Sequence, residues 1–302
     1  MASTVTASTS SARSNFPILL LVILGLYLSG RVIEVLPFSR PSTPIVAIEI
    51  LSALAFALVH GTRHYGVRGM LVFAGMCLAI GGAMETIGVL TGFPYGHYEF
   101  LPLMGPQVMR VPILLGLAYI GMAYVSWMVA RLIVGATGAR IAGVKVVTLP
   151  LVASVVMTAW DLAQDPVWST LLHAWRWRDG GIWFGVPLSN YAGWLLTVFM
   201  IYCAFAMYLR QGRSARREAG SVEWKTAVAF YAVCAAGNVI QLLRPQAQAV
   251  VVDPSGRLWS AAAILRASAT VSIFVMGAFA GIAWMQVRRL QLDRFRDRRE
   301  TS

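Results

Sequence analysis

Residues 111–134 read VPILLGLAYIGMAYVSWMVARLIV. No charged side chain occurs from Val111 to Ala130, and Arg131 arrives only near the end. A helix rises about 1.5 Å per residue, so roughly 20 apolar residues cross the hydrocarbon core of a bilayer. The strands of an outer-membrane barrel would show weakly alternating segments of about ten residues. This run is about twice that length and does not alternate, so it reads as a transmembrane helix.

Working outward, the same reading gives eight apolar runs, at 16–36, 44–60, 69–91, 111–134, 144–161, 188–209, 224–243 and 260–287. The run 44–60 is short, and a count of seven is the alternative. The composition of the 302 residues agrees: 58% are hydrophobic, 13% are charged, and the mean hydropathy is +0.67. A soluble domain carries about 25% charged residues, so half the charge needed for a water-facing surface is missing. A soluble enzyme, a disordered chain and a disulfide scaffold are excluded. The three cysteines lie inside apolar runs and form no CxxC pair, which indicates neither a metal knuckle nor a disulfide framework. The expected fold is all-α: a polytopic integral membrane protein. Residues 1–15 are a disordered tail, 16–287 one transmembrane domain and 288–302 a basic cytoplasmic tail. The first run reads as an uncleaved anchor, because it is longer than the apolar core of a typical signal peptide and lacks a clear small-x-small cleavage site.

The net charge of +12 belongs to this architecture. In a soluble protein it would point to nucleic acid; here it marks cytoplasmic loops and contact with anionic lipid. With eight spans and both termini cytoplasmic, 17 Lys and Arg residues fall on the cytoplasmic side and 8 on the other. The expected location is the cell membrane, with no nucleic-acid partner.

On this topology the acids gather at one level. Glu34, Glu49 and Glu85 lie near the outer ends of the first three spans, Asp161 ends the fifth, Asp165 follows it and Asn190 opens the sixth. A carboxylate in hydrocarbon costs several kcal/mol unless it is paired or faces a cavity, so this clustering predicts a shared polar cavity. Plainer readings stand beside it. Glu34 pairs with Arg31 at i,i+3, Glu49 stabilises a helix N-terminus, and Asp161 and Asp165 with Pro166 make a boundary turn. Glu85 has no basic neighbour within a turn of its own helix, which makes it the better functional candidate.

Two connections stand out. The first runs Glu85-Thr-Ile-Gly-Val-Leu-Thr-Gly-Phe-Pro-Tyr95-Gly-His97-Tyr98-Glu99, where closely spaced glycines and a proline impose a tight backbone path. Tyr95, His97 and Tyr98 put polar-tipped rings at the interface, as an aromatic belt also would. The second, 160–194, holds six of the ten tryptophans. Indole is the best cation-π partner among side chains. Carboxylic acids beside indoles in an apolar cavity suggest carbocation chemistry on an apolar substrate.

These stretches resemble the CruF-type carotenoid hydratases, membrane proteins of carotenoid biosynthesis that add water to the terminal double bond of acyclic carotenoid ends. The resemblance rests on Glu85-x-x-Gly88-x-x-x-Gly92-x-Pro-Tyr-Gly96-x-Tyr98, on Trp160-Asp161-x-x-x-Asp165-Pro166, on Trp175-x-Trp177, and on Phe184-Gly185-Val-Pro187-x-x-Asn190-Tyr-x-Gly193-Trp194. His60-Gly-x-Arg63-x-Tyr65-Gly66 adds a weaker match. It covers about 60–194. It implies a hydratase, a lyase by class, that works without cofactor or metal on a lycopene-type polyene, among membrane lipid and other carotenoid-pathway enzymes.

Hydration of such an alkene needs a protonated acid, then water and a base. Burial raises carboxyl pKa values, and dissimilar surroundings split two acids into different roles. The expected proton donor is Asp161, with Glu85 or Asp165 as base or water holder. Asn190 orients the water, and Trp160, Trp168 and Trp177 stabilise the cation. Tyr95, Tyr98, Phe184 and Glu49 complete the expected substrate-binding set. Two rivals remain. A membrane prenyltransferase would use Asp161 and Asp165 at i,i+4 to hold Mg²⁺ on a diphosphate, although Pro166 disfavours helix at Asp165. A non-catalytic carotenoid- or lipid-binding or transport protein would also use intramembrane acids.

Overall fold

The structure is a computed structural model that describes residues 6–36, 41–138, 141–212, 219–244 and 249–300; of 6–14 and 294–300 it describes the backbone alone. Arg40, Arg140, Arg213, Arg216 and Arg217, which enter the sidedness count, lie outside the described residues. So do the side chains of Arg13, Arg294, Arg296, Arg298 and Arg299.

The protein is an all-α membrane bundle. Seven helical stretches are long and apolar enough to cross a bilayer among the described residues. They are α1 (Thr6–Ile33), α2 (Thr43–Thr91), α3 (Ile113–Ile133), α4 (Lys145–Leu171), α5 (Leu188–Arg210), α6 (Ser221–Leu243) and α7 (Ala261–Asp293). Helix α1 begins at Thr6, inside the stretch expected to be an unstructured tail.

The second stretch reconciles seven helices with eight apolar runs. Gly66 breaks α2 with φ 72° and ψ 166°, a left-handed φ that costs glycine little. The chain doubles back there. A Cβ on Gly61 would lie 2.4 Å from Met70 Sδ, whereas residues nine apart on a straight helix are separated by about 13 Å. His60 and Phe73 both pack on Tyr124 of α3. The limbs 43–65 and 67–91 each have the length of a crossing, so the seven stretches supply eight.

Helix α3 is the hub. Gly121 lets the first limb of α2 approach so closely that a Cβ there would sit 2.8 Å from the Ala53 backbone. Trp127, Met128 and Tyr124 are fully buried. Three short antiparallel pairs tie the loops. Strands β1 (Tyr98–Phe100) and β4 (Trp175–Trp177) pair in the register Tyr98↔Trp177. Between them in sequence, β2 (Gln107–Val108) and β3 (Val111–Pro112) form a hairpin, and β5 (Val250–Val252) pairs with β6 (Leu258–Ser260). The β1–β4 pair joins the glycine-rich loop to the tryptophan-rich one, and this join assembles the site.

Candidate active site

The fifth apolar run does not end at Asp161, as its pattern predicted. Helix α4 continues through Asp165, and Pro166–Leu171 follow as a widened π-type turn. Pro166 adopts helical φ −60°, ψ −33°. Proline removes one N–H, and i→i+5 bonding lets the helix absorb that loss. The boundary turn expected at Asp161 and Asp165 is therefore a helix, and the objection that Pro166 breaks it falls. Asp161 and Asp165 sit one turn apart on one face.

Asn190, near the start of α5, faces that pair. Its Nδ2 donates to Asp161 Oδ2 at 3.1 Å and to Asp165 Oδ2 at 2.6 Å. All three side chains are buried. Asp165 Oδ1 also accepts from Trp175 Nε1 at 2.9 Å and Trp177 Nε1 at 3.3 Å. The β1–β4 register delivers both indoles, because alternate residues of a strand share a face. The two acids thus differ: among the described residues Asp165 is met by three N–H groups, and Asp161 by the shared amide alone.

Glu85 sits on the second limb of α2. Its Oε2 accepts from Tyr98 at 2.6 Å and its Oε1 from Tyr119 at 2.7 Å. Burial, and then the charge of Glu85, push the Tyr98 phenol far above its ordinary range, so Tyr98 stays a donor. Burial does the same for Tyr95, whose hydroxyl meets Thr197 Oγ1 at 2.7 Å. The Tyr95 ring is clamped between two glycines. A Cβ would lie 2.6 Å from its Cδ2 on Gly88, and 2.5 Å from its Cδ1 on Gly193.

Two adjoining voids open onto these groups. A cavity of about 50 Å³ is lined by Glu49, Asp161, Gln164, Trp160, Trp168 and Trp194, among others. A second, of about 20 Å³, is lined by Glu85, Tyr95, Tyr98, Asp165, Asn190 and Trp177. Leu115, Trp175 and Trp194 border both. An apolar groove of about 710 Å³ between α3 and the second limb of α2 reaches Glu85, Leu115 and Tyr119. Two residues that line the first void each have a buried polar atom with no partner among the described residues: Glu49 Oε1 and Trp160 Nε1.

Most of the residues singled out in the sequence converge here. Phe184 does not. It takes φ 53° and packs on Trp183 and Trp259, away from both cavities. His97 is exposed and pairs with Asp179 at 3.0 Å. Glu99 pairs with Arg176, whose hydrogen bond holds the Glu99 carboxyl below its usual range. Glu49 stabilises no helix end: Arg31 NH1 binds its Oε2 at 3.1 Å and Glu34 at 3.0 Å. Arg31 NH2 reaches Asn238 Oδ1 at 3.0 Å. Sequence reasoning missed Tyr119 and the Arg31–Asn238 link, and it gave Trp175 and Trp194 no role although both stand in the motifs it quoted. An Asn238 inside an apolar run was the visible signal for that link.

A family model described as "Carotenoid biosynthesis protein" matches residues 45–253. A bisanhydrobacterioruberin hydratase of Haloarcula japonica is 31% identical over 115 residues. That alignment covers 38% of this chain and 37% of the relative, so the chain spans well under half of it. No solved structure matches the chain.

Proposed function

Because the chain belongs to the carotenoid biosynthesis protein family, we propose that it hydrates the terminal double bond of an acyclic carotenoid end group by proton transfer and water addition. The observation that carries this is the Asn190 amide bridging Asp161 and Asp165 at the wall of an indole-lined cavity. The similarity to a hydratase in Haloarcula japonica supports the same reaction class.

Asp161 is the proton donor. Its single amide contact orients the carboxyl and leaves Oδ1 toward the reacting carbon. The alkene π pair takes the Asp161 proton onto its CH carbon, and the dimethyl carbon becomes a tertiary cation. Trp160, Trp168 and Trp194 present π faces to that charge, each worth up to about 2 kcal/mol when desolvated. Asp165 and Glu85 already accept two or more hydrogen bonds each, so they stabilise the cation electrostatically and hold water. The polyene shaft lies in the 710 Å³ groove, which is lined mostly by apolar side chains and reaches the site at Glu85 and Leu115.

The Mg²⁺ reading gains the continuous helix at Asp165 but meets Asn190, which presents N–H donors to both carboxylates where a diphosphate-bound ion needs free lone pairs. The two readings separate in one experiment. The protein is expressed in a lycopene-accumulating bacterium, and pigments are analysed by chromatography and mass spectrometry. A more polar pigment, heavier by one water per modified end and formed equally in chelator, is expected. Unchanged lycopene with the protein present in the membrane would overturn the reading.

A further inference from the structure

Hydration needs a base to take the proton that the attacking water sheds, and the acids nearest Asp161 are poorly placed for it. Asp165 has both oxygens engaged, by Asn190, Trp175 and Trp177. Both oxygens of Glu85 accept tyrosine hydroxyls. Glu49 differs. It lines the same 50 Å³ cavity as Asp161 and is 3% exposed, and its Oε1 has no hydrogen-bond partner among the described residues. A buried carboxylate oxygen without a donor is costly, unless a molecule occupies the void beside it. A cavity of about 50 Å³ has room for a few waters by the measure in which one needs roughly 10–15 Å³.

The other half of Glu49 is fixed firmly. Arg31 NH1 binds Oε2 at 3.1 Å, and Arg31 is itself held by Glu34 and Asn238. Two glycines make the approach of the helices feasible. A Cβ on Gly30 would lie 3.0 Å from Glu49 Cγ, and one on Gly237 would lie 2.9 Å from Arg31 Cγ. Neither Arg31 nor Glu34 falls within the family match at 45–253. Glu49 thus has one oxygen anchored to a guanidinium and one oxygen without a donor among the described residues, on a side chain that lines the cavity.

We propose that Glu49 is the catalytic base, and that Arg31 is its positioning residue. The proposal rests on the hydration reading and deepens it. Asp161 gives its proton to the alkene CH carbon, and a cavity water attacks the dimethyl cation and forms the C–O bond. Glu49 Oε1 takes the water's proton. The products are a tertiary alcohol, an Asp161 carboxylate and a Glu49 carboxylic acid. A proton returned from Glu49 to Asp161 through cavity water closes the cycle, with no electron gained or lost. Acid and base then face each other across one cavity, on α4 and on the first limb of α2.

The test uses membranes holding the full chain, supplied with lycopene in heavy water. Hydrated product is quantified, and deuterium at the terminal CH carbon of recovered lycopene is measured. Wild-type protein is expected to hydrate. Asp161→Asn is expected to lose both product and exchange. Glu49→Gln keeps an acceptor for Arg31, and Glu34 remains as counter-ion. It is expected to lose product by at least about 100-fold, the scale of a general base, while deuterium still enters recovered lycopene, because protonation persists and the cation reverts. Glu49→Asp and Arg31→Lys are expected to raise the ratio of exchange to hydration. That ratio does not depend on how much protein folds.

Wild-type hydration by Glu49→Gln overturns the proposal. So does loss of both signals in folded Glu49→Gln. If Glu49→Gln does not fold, an unchanged ratio in Glu49→Asp overturns it. Wild-type protein that neither hydrates nor exchanges removes the hydration reading itself, a distinct result.

Discussion

The bundle buries polar clusters at both of its ends, and the two are built differently. At the end opposite the site, His60 Nε2 donates to Glu223 O at 2.9 Å, which leaves Nδ1 to accept from Tyr124 at 2.6 Å. Arg131 donates to the carbonyls of Ala136 and Gly138 at 2.8 and 2.9 Å and to Tyr65 at 2.9 Å, and it contacts His64. Arg63 meets Glu223 at 3.0 Å. None of the buried side-chain atoms of His60, Tyr124 or Arg131 lacks a partner among the described residues. At the acidic end, Glu49 and Trp160, which line a void, each leave one buried atom unmet among the described residues. Burial of charge alone does not distinguish structure from chemistry; unmet hydrogen-bonding capacity next to space does.

The sharpest way to break that comparison is to remove one acid and one base from opposite ends. Asp161→Asn should lower hydrated pigment by about 10³-fold, within the range of general acid catalysis, with thermal stability in detergent close to wild type. Arg131→Leu should act the other way. It orphans the buried Ala136 carbonyl, at about 1–3 kcal/mol, so folded yield and melting temperature fall while pigment formed per folded molecule holds. A catalytic loss per folded molecule in Arg131→Leu would merge the two clusters into one functional unit.

The next effect tests the glycine clamp around Tyr95. In Gly193→Ala the new methyl falls 2.5 Å from Tyr95 Cδ1 and 3.0 Å from Pro94 Cγ. Overpacking of this kind costs about 1–3 kcal/mol. The displaced ring disturbs the Tyr98–Glu85 contact beside it, so both stability and pigment formation should drop. At the sealed end, Tyr124→Phe leaves His60 Nδ1 without its donor. It should cost about 1 kcal/mol, read as a lower melting temperature with unaltered product.

What the sequence made legible follows from what each interaction needs. Long apolar runs revealed the crossings because the bilayer acts residue by residue. The acids were legible for the same reason, since each is an exception to its run. Gly88 and Gly193 were visible as motif glycines, but their shared purpose, the Tyr95 slot, needs three segments together. The Arg31–Glu49 and Arg31–Asn238 bonds span 18 and 207 residues, and no local pattern reports such a meeting. Pro166 read as a helix stop because the rule concerns ordinary α-helical bonding, and a widened turn escapes it. The reversal at Gly66 was legible as the gap between the runs 44–60 and 69–91, which holds Gly61, Gly66, Arg63 and Arg68. Phe184 read as part of the aromatic wall, yet its left-handed φ turns it to Trp259 instead.

The smallest expected effect concerns a carboxylate outside the membrane-spanning stretches. Asp253 ties the β5–β6 hairpin: its Oδ1 accepts from Ser255 N at 2.9 Å, Ser255 Oγ at 2.5 Å and Arg257 N at 3.1 Å, and its Oδ2 from Trp259 Nε1 at 2.7 Å. Burial acts to raise its pKa, and the hydrogen bonds from Ser255, Trp259 and the Arg257 and Ser255 backbone outweigh burial and hold it below the usual carboxylate value. A depressed folded value means the stabilisation is fully present above the unfolded pKa of about 3.9 and is lost as pH falls through the folded one. Amide exchange in 250–260 should therefore speed up below about pH 4 beyond its chemical trend, while the fully buried stretch Tyr124–Ala130 of α3, read in the same sample, keeps its protection. Asp253→Asn should remove the extra acid dependence from the hairpin. Equal acid loosening at both ends would mean that the bundle responds as one body, and the contrast between an adaptable acidic end and a sealed opposite end would fail.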